Sequence, residues 1–175
     1  MISSFLALGT IALQILIVTA CVYLFVDRAQ LSKIAPYTHI ILRIIFTGAV
    51  MGSLYFSEVL GYTPCLLCWW QRIFIFGIAL LVWTADVRKS PLLQKQLVLF
   101  SIIGGGFALF HNIIDIFPTG IDTCGANGIS CLKRYIDLFG YITIPMMSLT
   151  ILVGAIVLVA IVRLYPQQTT TTLQK

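Results

Sequence analysis

Two pairs of cysteines are the residues here whose type and spacing can do chemistry. Thr63–Arg72 reads TPCLLCWWQR, which sets Cys65 and Cys68 two residues apart where one apolar run has ended and another begins. Cys124 and Cys131 form a second pair, with Gly125–Ser130 between them. A Cys-x-x-Cys is compatible with a redox pair, half of a metal site, or two inert thiols. Thiol–disulfide exchange proceeds through a thiolate, so a working cysteine needs access and a cation or helix N-terminus nearby. Cys68 has both sources: the start of the following helix, and Arg72, four residues on and about 6 Å along the same face. An arginine within hydrocarbon costs about 2.5–3.5 kcal/mol by insertion scales, which argues that it is kept for a partner. The competing reading has Arg72 snorkelling to the headgroups. His111, beside Asn112 at the end of another apolar run, is either a hydrogen-bonded structural group or, facing a redox centre, a proton donor.

Those side chains must be positioned by membrane helices. The 175 residues are 59% hydrophobic and 10% charged, too apolar for an ordinary soluble domain. The net charge of +5 is scattered between apolar runs rather than gathered on one face, which excludes nucleic-acid binding as its purpose. Five runs approach the roughly 20 residues a span needs: Phe5–Val26, Ile40–Leu60, Trp69–Ala85, Leu97–Ile114 and Ile142–Val162. Arg28, Lys33, Arg43, Arg88, Lys89, Lys95, Arg163 and Lys175 then share one side, which the positive-inside rule makes cytoplasmic. The expectation is an N-terminus outside, a C-terminus inside, and both cysteine pairs on the extracytoplasmic face.

Val18-Thr19-Ala20-Cys21 has the look of a lipoprotein cleavage site, but Met1–Gly9 carries no charge and cleavage would reverse the topology, so Cys21 reads as a small apolar residue within the first span. Gly48 and Gly52, and the run Gly104–Gly106, read as packing marks. In the loop Asp115–Tyr141, the first half is rich in turn formers and reads as a mobile arm, while Leu132–Phe139 reads as a short amphipathic helix in the headgroup plane.

Cys-Leu-Leu-Cys-Trp-Trp-Gln-Arg resembles the Cys-x-x-Cys-x-x-x-Arg signature of the DsbB-type disulfide bond formation proteins, including their BdbC relatives. The order of features from about Ile40 to Val162 resembles that family as well. The resemblance implies an all-α integral membrane protein, a four-helix transmembrane bundle over 31–165 with the cysteine-pair outer loop at 115–141. One extra N-terminal transmembrane helix, 1–30, makes five spans, and 166–175 is a disordered cytoplasmic tail. It implies a prokaryotic inner-membrane thiol oxidase that takes electrons from a soluble or tethered thioredoxin-fold, DsbA-like partner and passes them to a quinone, ubiquinone or menaquinone, with no metal. By the same resemblance Cys68 contacts the quinone, Arg72 stabilises the thiolate or the quinone oxygen, and Cys65 is the disulfide partner of Cys68. Cys124 then exchanges with the soluble partner, Cys131 exchanges with Cys65, and His111 lines the quinone pocket. The chain departs from the family pattern in its additional first helix, in the six-residue spacing of the loop pair, and in Gln71, where some relatives carry an acid.

Three other readings compete. A vitamin K epoxide reductase-like protein shares the bundle and its cysteines, but there the loop pair precedes the Cys-x-x-Cys. A zinc site on the four outer cysteines fits poorly with a six-residue spacing. The third is a membrane protein held by structural disulfides alone.

Overall fold

The computed structural model describes residues 2–26, 33–117, 131, 134–137 and 139–165. They form an all-α membrane protein. Helix α1 is Ile2–Val26, α2 Thr38–Leu54, α3 Leu66–Thr84, α4 Pro91–Ile116 and α5 Ile144–Leu164. Four helical stretches, Ala35–Val59 and the last three helices, are long and apolar enough to cross a bilayer; α1 contributes a shorter described apolar stretch, Leu8–Tyr23. The bundle is apolar outside, as lipid requires, with Ile44, Leu80 and Trp83 exposed, and keeps polar side chains such as Gln71, His111, Asn112 and Thr150 within.

The expected spans are present, with boundaries moved by local chemistry. α4 starts six residues before Leu97, because Pro91 is favoured in a first turn and the Ser90 hydroxyl accepts from the Leu93 N–H at 3.2 Å. α2 is preceded by a 3₁₀ turn, Ala35–Tyr37, and runs into a π-helical turn, Tyr55–Val59. Gly61, at φ 67°, then reverses the chain in a conformation that disfavours any side chain. Pro64 follows it, and α3 begins one residue after Cys65.

Tight packing draws α3 and α4 together. A Cβ on Gly104 would lie 2.8 Å from Phe74 Cβ, and one on Gly77 would lie 2.8 Å from Phe100 Cε2, so each glycine receives the other helix's ring. Phe74 and Trp70 stack on Phe107 at 6.0 and 5.3 Å. Gly104 is thus a packing mark, as expected. Gly48 is not, for a Cβ there meets nothing within 4 Å.

α1 rests on α5. Gln14 Nε2 donates to Thr150 Oγ1 at 3.0 Å, and the Cβ position of Gly154 is 3.3 Å from Ile17 Cδ1. Contacts that rise together along both chains make the two helices parallel, so α1 begins at the end of the bundle where α5 begins, the end that carries Cys65. The opposite end is held by basic side chains: Arg43 Nε donates to the Val82 carbonyl, Arg163 Nε to Gln94 Oε1, and Arg88 Nη1 to the Pro36 carbonyl. Between α3 and α4, Arg88 also hydrogen-bonds Asp86 and holds that carboxyl at about 2.

The amphipathic helix expected over Leu132–Phe139 is not formed by the residues described there. Arg134 is tied to Asp115 at 2.7 Å and Asp137 at 3.1 Å, Ile136 is buried, and Phe139 and Gly140 have φ of 57° and 76°, which breaks any helical run. The arm ahead of it, Cys124 included, and the 166–175 tail lie outside the described residues.

Candidate functional site

Pro64 biases the chain before it towards an extended conformation. Cys65 follows with extended backbone, φ −73° and ψ 173°, and occupies the N-cap of α3 without its side chain capping the helix. Its sulfur is therefore left for other work, and it lies 3.2 Å from Cys68 Sγ, one turn in. Both are thiols, whereas Cys131 is disulfide-bonded. The Cys68 thiol beside it holds Cys65 down to about 6, against the opposing effect of burial. Cys68, next to Arg72, lies one turn inside the span, whereas Cys65 stands ahead of the helix, outside it. Because that thiol is deprotonated above its lowered pKa, alkylation of Cys65 in the reduced protein should climb with pH to half its plateau near pH 6. Peptide mass spectrometry across a pH series reads this, and a midpoint at about 8.5, the ordinary thiol value, would deny the effect.

Arg72, one turn beyond Cys68, is held by contacts within the protein. Its Nη2 donates to the Ser53 carbonyl at 2.7 Å, its guanidinium stacks on Trp69 at 5.4 Å, and Cys68 and Glu58 are its electrostatic neighbours. The Ser53 carbonyl also accepts from Ser57 Oγ at 3.4 Å, within the wider π turn that ends the second span. Irregular turns of that kind recur at functional sites because they redirect backbone groups.

Gln71 and His111 supply the third side. Both are buried. The Gln71 amide Nε2 stands 3.1 Å from His111 Nδ1, and His111 Nε2 stands 3.1 Å from the Cys131 carbonyl. An amide N–H can only donate and a carbonyl only accept, so the ring carries its proton on Nε2 and accepts at Nδ1. With both nitrogens engaged, His111 holds Cys131 in place rather than presenting a free proton. One result is that Cys65 Sγ, Cys131 Sγ and a ring nitrogen of His111 all lie within 4.8 Å of one another. Three such donors can hold a metal, but a disulfide sulfur is not a thiolate ligand and the ring nitrogens are already occupied, so the set as found fits zinc poorly.

These side chains open onto a cavity of about 360 Å³ lined by Cys65, Cys68, Arg72 and His111 together with apolar residues of α2 and α5. Tyr62, stacked on Tyr135 at 4.6 Å and on Phe56 at 6.0 Å, joins the outer segment to the turn before Cys65. Thr143, also in the lining, has a buried hydroxyl with no hydrogen-bond partner among the described residues. Burying an unpaired hydroxyl is costly unless something with a polar atom meets it there.

Residues 36–162 match the family model described as Disulfide bond formation protein DsbB. The chain belongs to the DsbB family. It is 33% identical over 117 residues to Disulfide bond formation protein C of Bacillus subtilis (strain 168), covering 66% of this chain and 84% of that one. It is 37% identical over 103 residues to Probable disulfide formation protein C of Halalkalibacterium halodurans, covering 58% and 75%. Probable disulfide formation protein C 2 of Bacillus cereus (strain ATCC 10987 / NRS 248) is 33% identical over 129 residues, 74% of this chain and 91% of the relative. No solved structure matches. As a DsbB-family chain this is a multi-pass membrane oxidoreductase of disulfide bond formation. Of the residues expected to form its site, Cys65, Cys68, Arg72, His111 and Cys131 are brought together, and Cys124 lies outside the described residues. What the sequence did not single out as site residues are Ser53, Tyr62 and Tyr135, and Gln71 was noted only for its missing charge. None of the four carries a spacing signal, since each acts through a contact between distant segments.

Proposed function

We propose that this chain oxidises a thioredoxin-fold partner through its two cysteine pairs and delivers the electrons to a membrane quinone. The observation that carries the reading is the approach of Cys65 Sγ and Cys131 Sγ to within 4.8 Å, which lets one thiol pair hand electrons to the other by sulfur exchange. In the forward direction the partner's two thiols reduce the disulfide of Cys124 and Cys131, and the partner leaves as a disulfide. Cys131 thiolate then attacks Cys65 Sγ of an oxidised Cys65–Cys68 pair, and Cys68 departs as a thiolate beside Arg72. Cys124 thiolate attacks Cys131, the loop disulfide re-forms, and Cys65 is released. A bound quinone supplies the sink for two electrons and two protons and leaves as the quinol, with the Cys65–Cys68 disulfide restored.

The pocket suits such an acceptor: its volume lies within the range of small-molecule sites, its walls are mostly apolar, and Arg72 and the unmet Thr143 hydroxyl offer donors for carbonyl oxygens. Arg72 supplies a cation next to a departing thiolate, and His111 and Gln71 keep Cys131 in register with Cys65. We further propose that the cysteine end faces outward across a prokaryotic cytoplasmic membrane, since Arg43, Arg88 and Arg163 gather at the opposite end.

The purified protein should reduce a water-soluble quinone at the expense of a reduced DsbA-like protein, one quinol per partner disulfide formed. On intact cells an impermeant maleimide should label Cys124 of the outer loop after reduction. Stoichiometric zinc with no quinone turnover, or labelling only after lysis, would overturn the reading.

A further inference from the structure

The family match begins at residue 36 and so leaves α1 without a role. Yet Gly9, Thr10 and Leu13 of α1 line the same cavity as Cys68 and Arg72, opposite no other helix's exclusive claim: Ile44 and Gly48 of α2 and Met147 of α5 complete that stretch of wall. α1 is held there by polar contacts rather than by apolar contact alone, since Gln14 donates to Thr150 and accepts from the Tyr141 hydroxyl at 3.2 Å. Apolar contact gives little preference for one helix neighbour over another in lipid, so paired hydrogen bonds of this kind set where the helix sits and how it is rotated. In that position Gly9, the residue with no side chain, borders the cavity. A Cβ on Gly9 would meet nothing within 4 Å, and the same holds for Gly48 on α2. Glycines at close helix contacts are explained by packing, as Gly104 is; these two border empty volume instead.

Resting on the quinone reading above, we propose that α1 is a wall of the acceptor pocket and that the absent side chain at Gly9 sets the bulk of lipid-soluble acceptor that can reach Cys68. The four-helix core supplies the sulfurs and the cation. The additional helix α1 supplies the side of the pocket that determines fit.

The test is binding, read by quenching of Trp69 and Trp70 fluorescence when a decyl-substituted benzoquinone is titrated into the full-length protein in detergent, with acceptor KM measured alongside. Open space around Gly9 predicts that Gly9→Leu folds, with a melting temperature close to that of the unaltered protein. Filling the cavity should then weaken quinone binding about tenfold or more and raise KM in step, on the scale of overpacking penalties. Gly9→Ala should fall between, and keeps the test alive should the leucine variant not fold. Gly48→Leu, on the α2 side, serves as the reference for an obstructed pocket. If Gly48→Leu weakens binding while Gly9→Leu and Gly9→Ala bind as the unaltered chain does, α1 is not part of the pocket and the inference falls alone. If the unaltered chain neither binds nor reduces the quinone, the acceptor reading falls and takes this inference with it.

Discussion

Cys68→Ser should abolish steady quinone reduction, leaving only the uncatalysed background, while the loop pair still exchanges with a reduced thioredoxin-fold protein. Serine preserves the size and polarity of the site but cannot form a disulfide with Cys65, 3.2 Å away. The electrons then have no leaving sulfur next to Arg72. A second consequence follows from the closeness of Cys65 to Cys131. With Cys68 gone, attack of Cys65 thiolate on Cys131 expels Cys124 as a thiolate, and once Cys124 is alkylated to block the return step, non-reducing peptide mapping should find the Cys65–Cys131 mixed disulfide trapped. Steady turnover retained in Cys68→Ser would remove this residue from the electron path.

Arg72→Leu should raise the acceptor KM about tenfold or more, the range expected when a hydrogen bond from a charged donor is lost. The fold should tolerate the change, because two effects of similar size oppose each other. Removing a guanidinium from the membrane relieves about 2.5–3.5 kcal/mol of insertion cost, while losing its bond to the Ser53 carbonyl forfeits about 1.5–3 kcal/mol. An unchanged melting temperature with a raised KM therefore separates acceptor binding from scaffolding. Arg72→Lys keeps the charge without the planar fork and should recover only part of the affinity. A KM that does not move in Arg72→Leu would return the side chain to a headgroup anchor.

Much of the site could be read from spacing. Cys65, Cys68 and Arg72 share one short segment, and four-residue intervals on a helix fix which side chains stack above one another. Their meeting with His111 is implied by the family resemblance rather than by spacing, since His111 lies on a different helix. The hydrogen bonds that connect them run through Gln71, whose place in the sequence suggested no more than a missing charge. Gly48 and Gly104 show the same limit from another side. Both are glycines in apolar helices, yet one admits Phe74 and the other borders a cavity, and nothing within a few residues of either distinguishes them. The segment after Cys131 was misjudged for a related reason: its apolar and charged residues alternate as an amphipathic helix would, but Asp115 and Tyr62, from elsewhere in the chain, take Arg134 and Tyr135 into a different conformation.

By itself the sequence determined the membrane character, the order of the apolar helices and the family, because hydropathy and helical spacing act over short stretches of chain. Only the tertiary structure decided that Cys65 stands at the start of α3 within 4.8 Å of Cys131, that His111 holds Cys131 beside it, and that α1 runs parallel to α5 and lines the pocket. Those outcomes depend on which helices touch and at what rotation, and in a bilayer that is set by glycine clearances and a handful of buried hydrogen bonds between residues far apart in the chain.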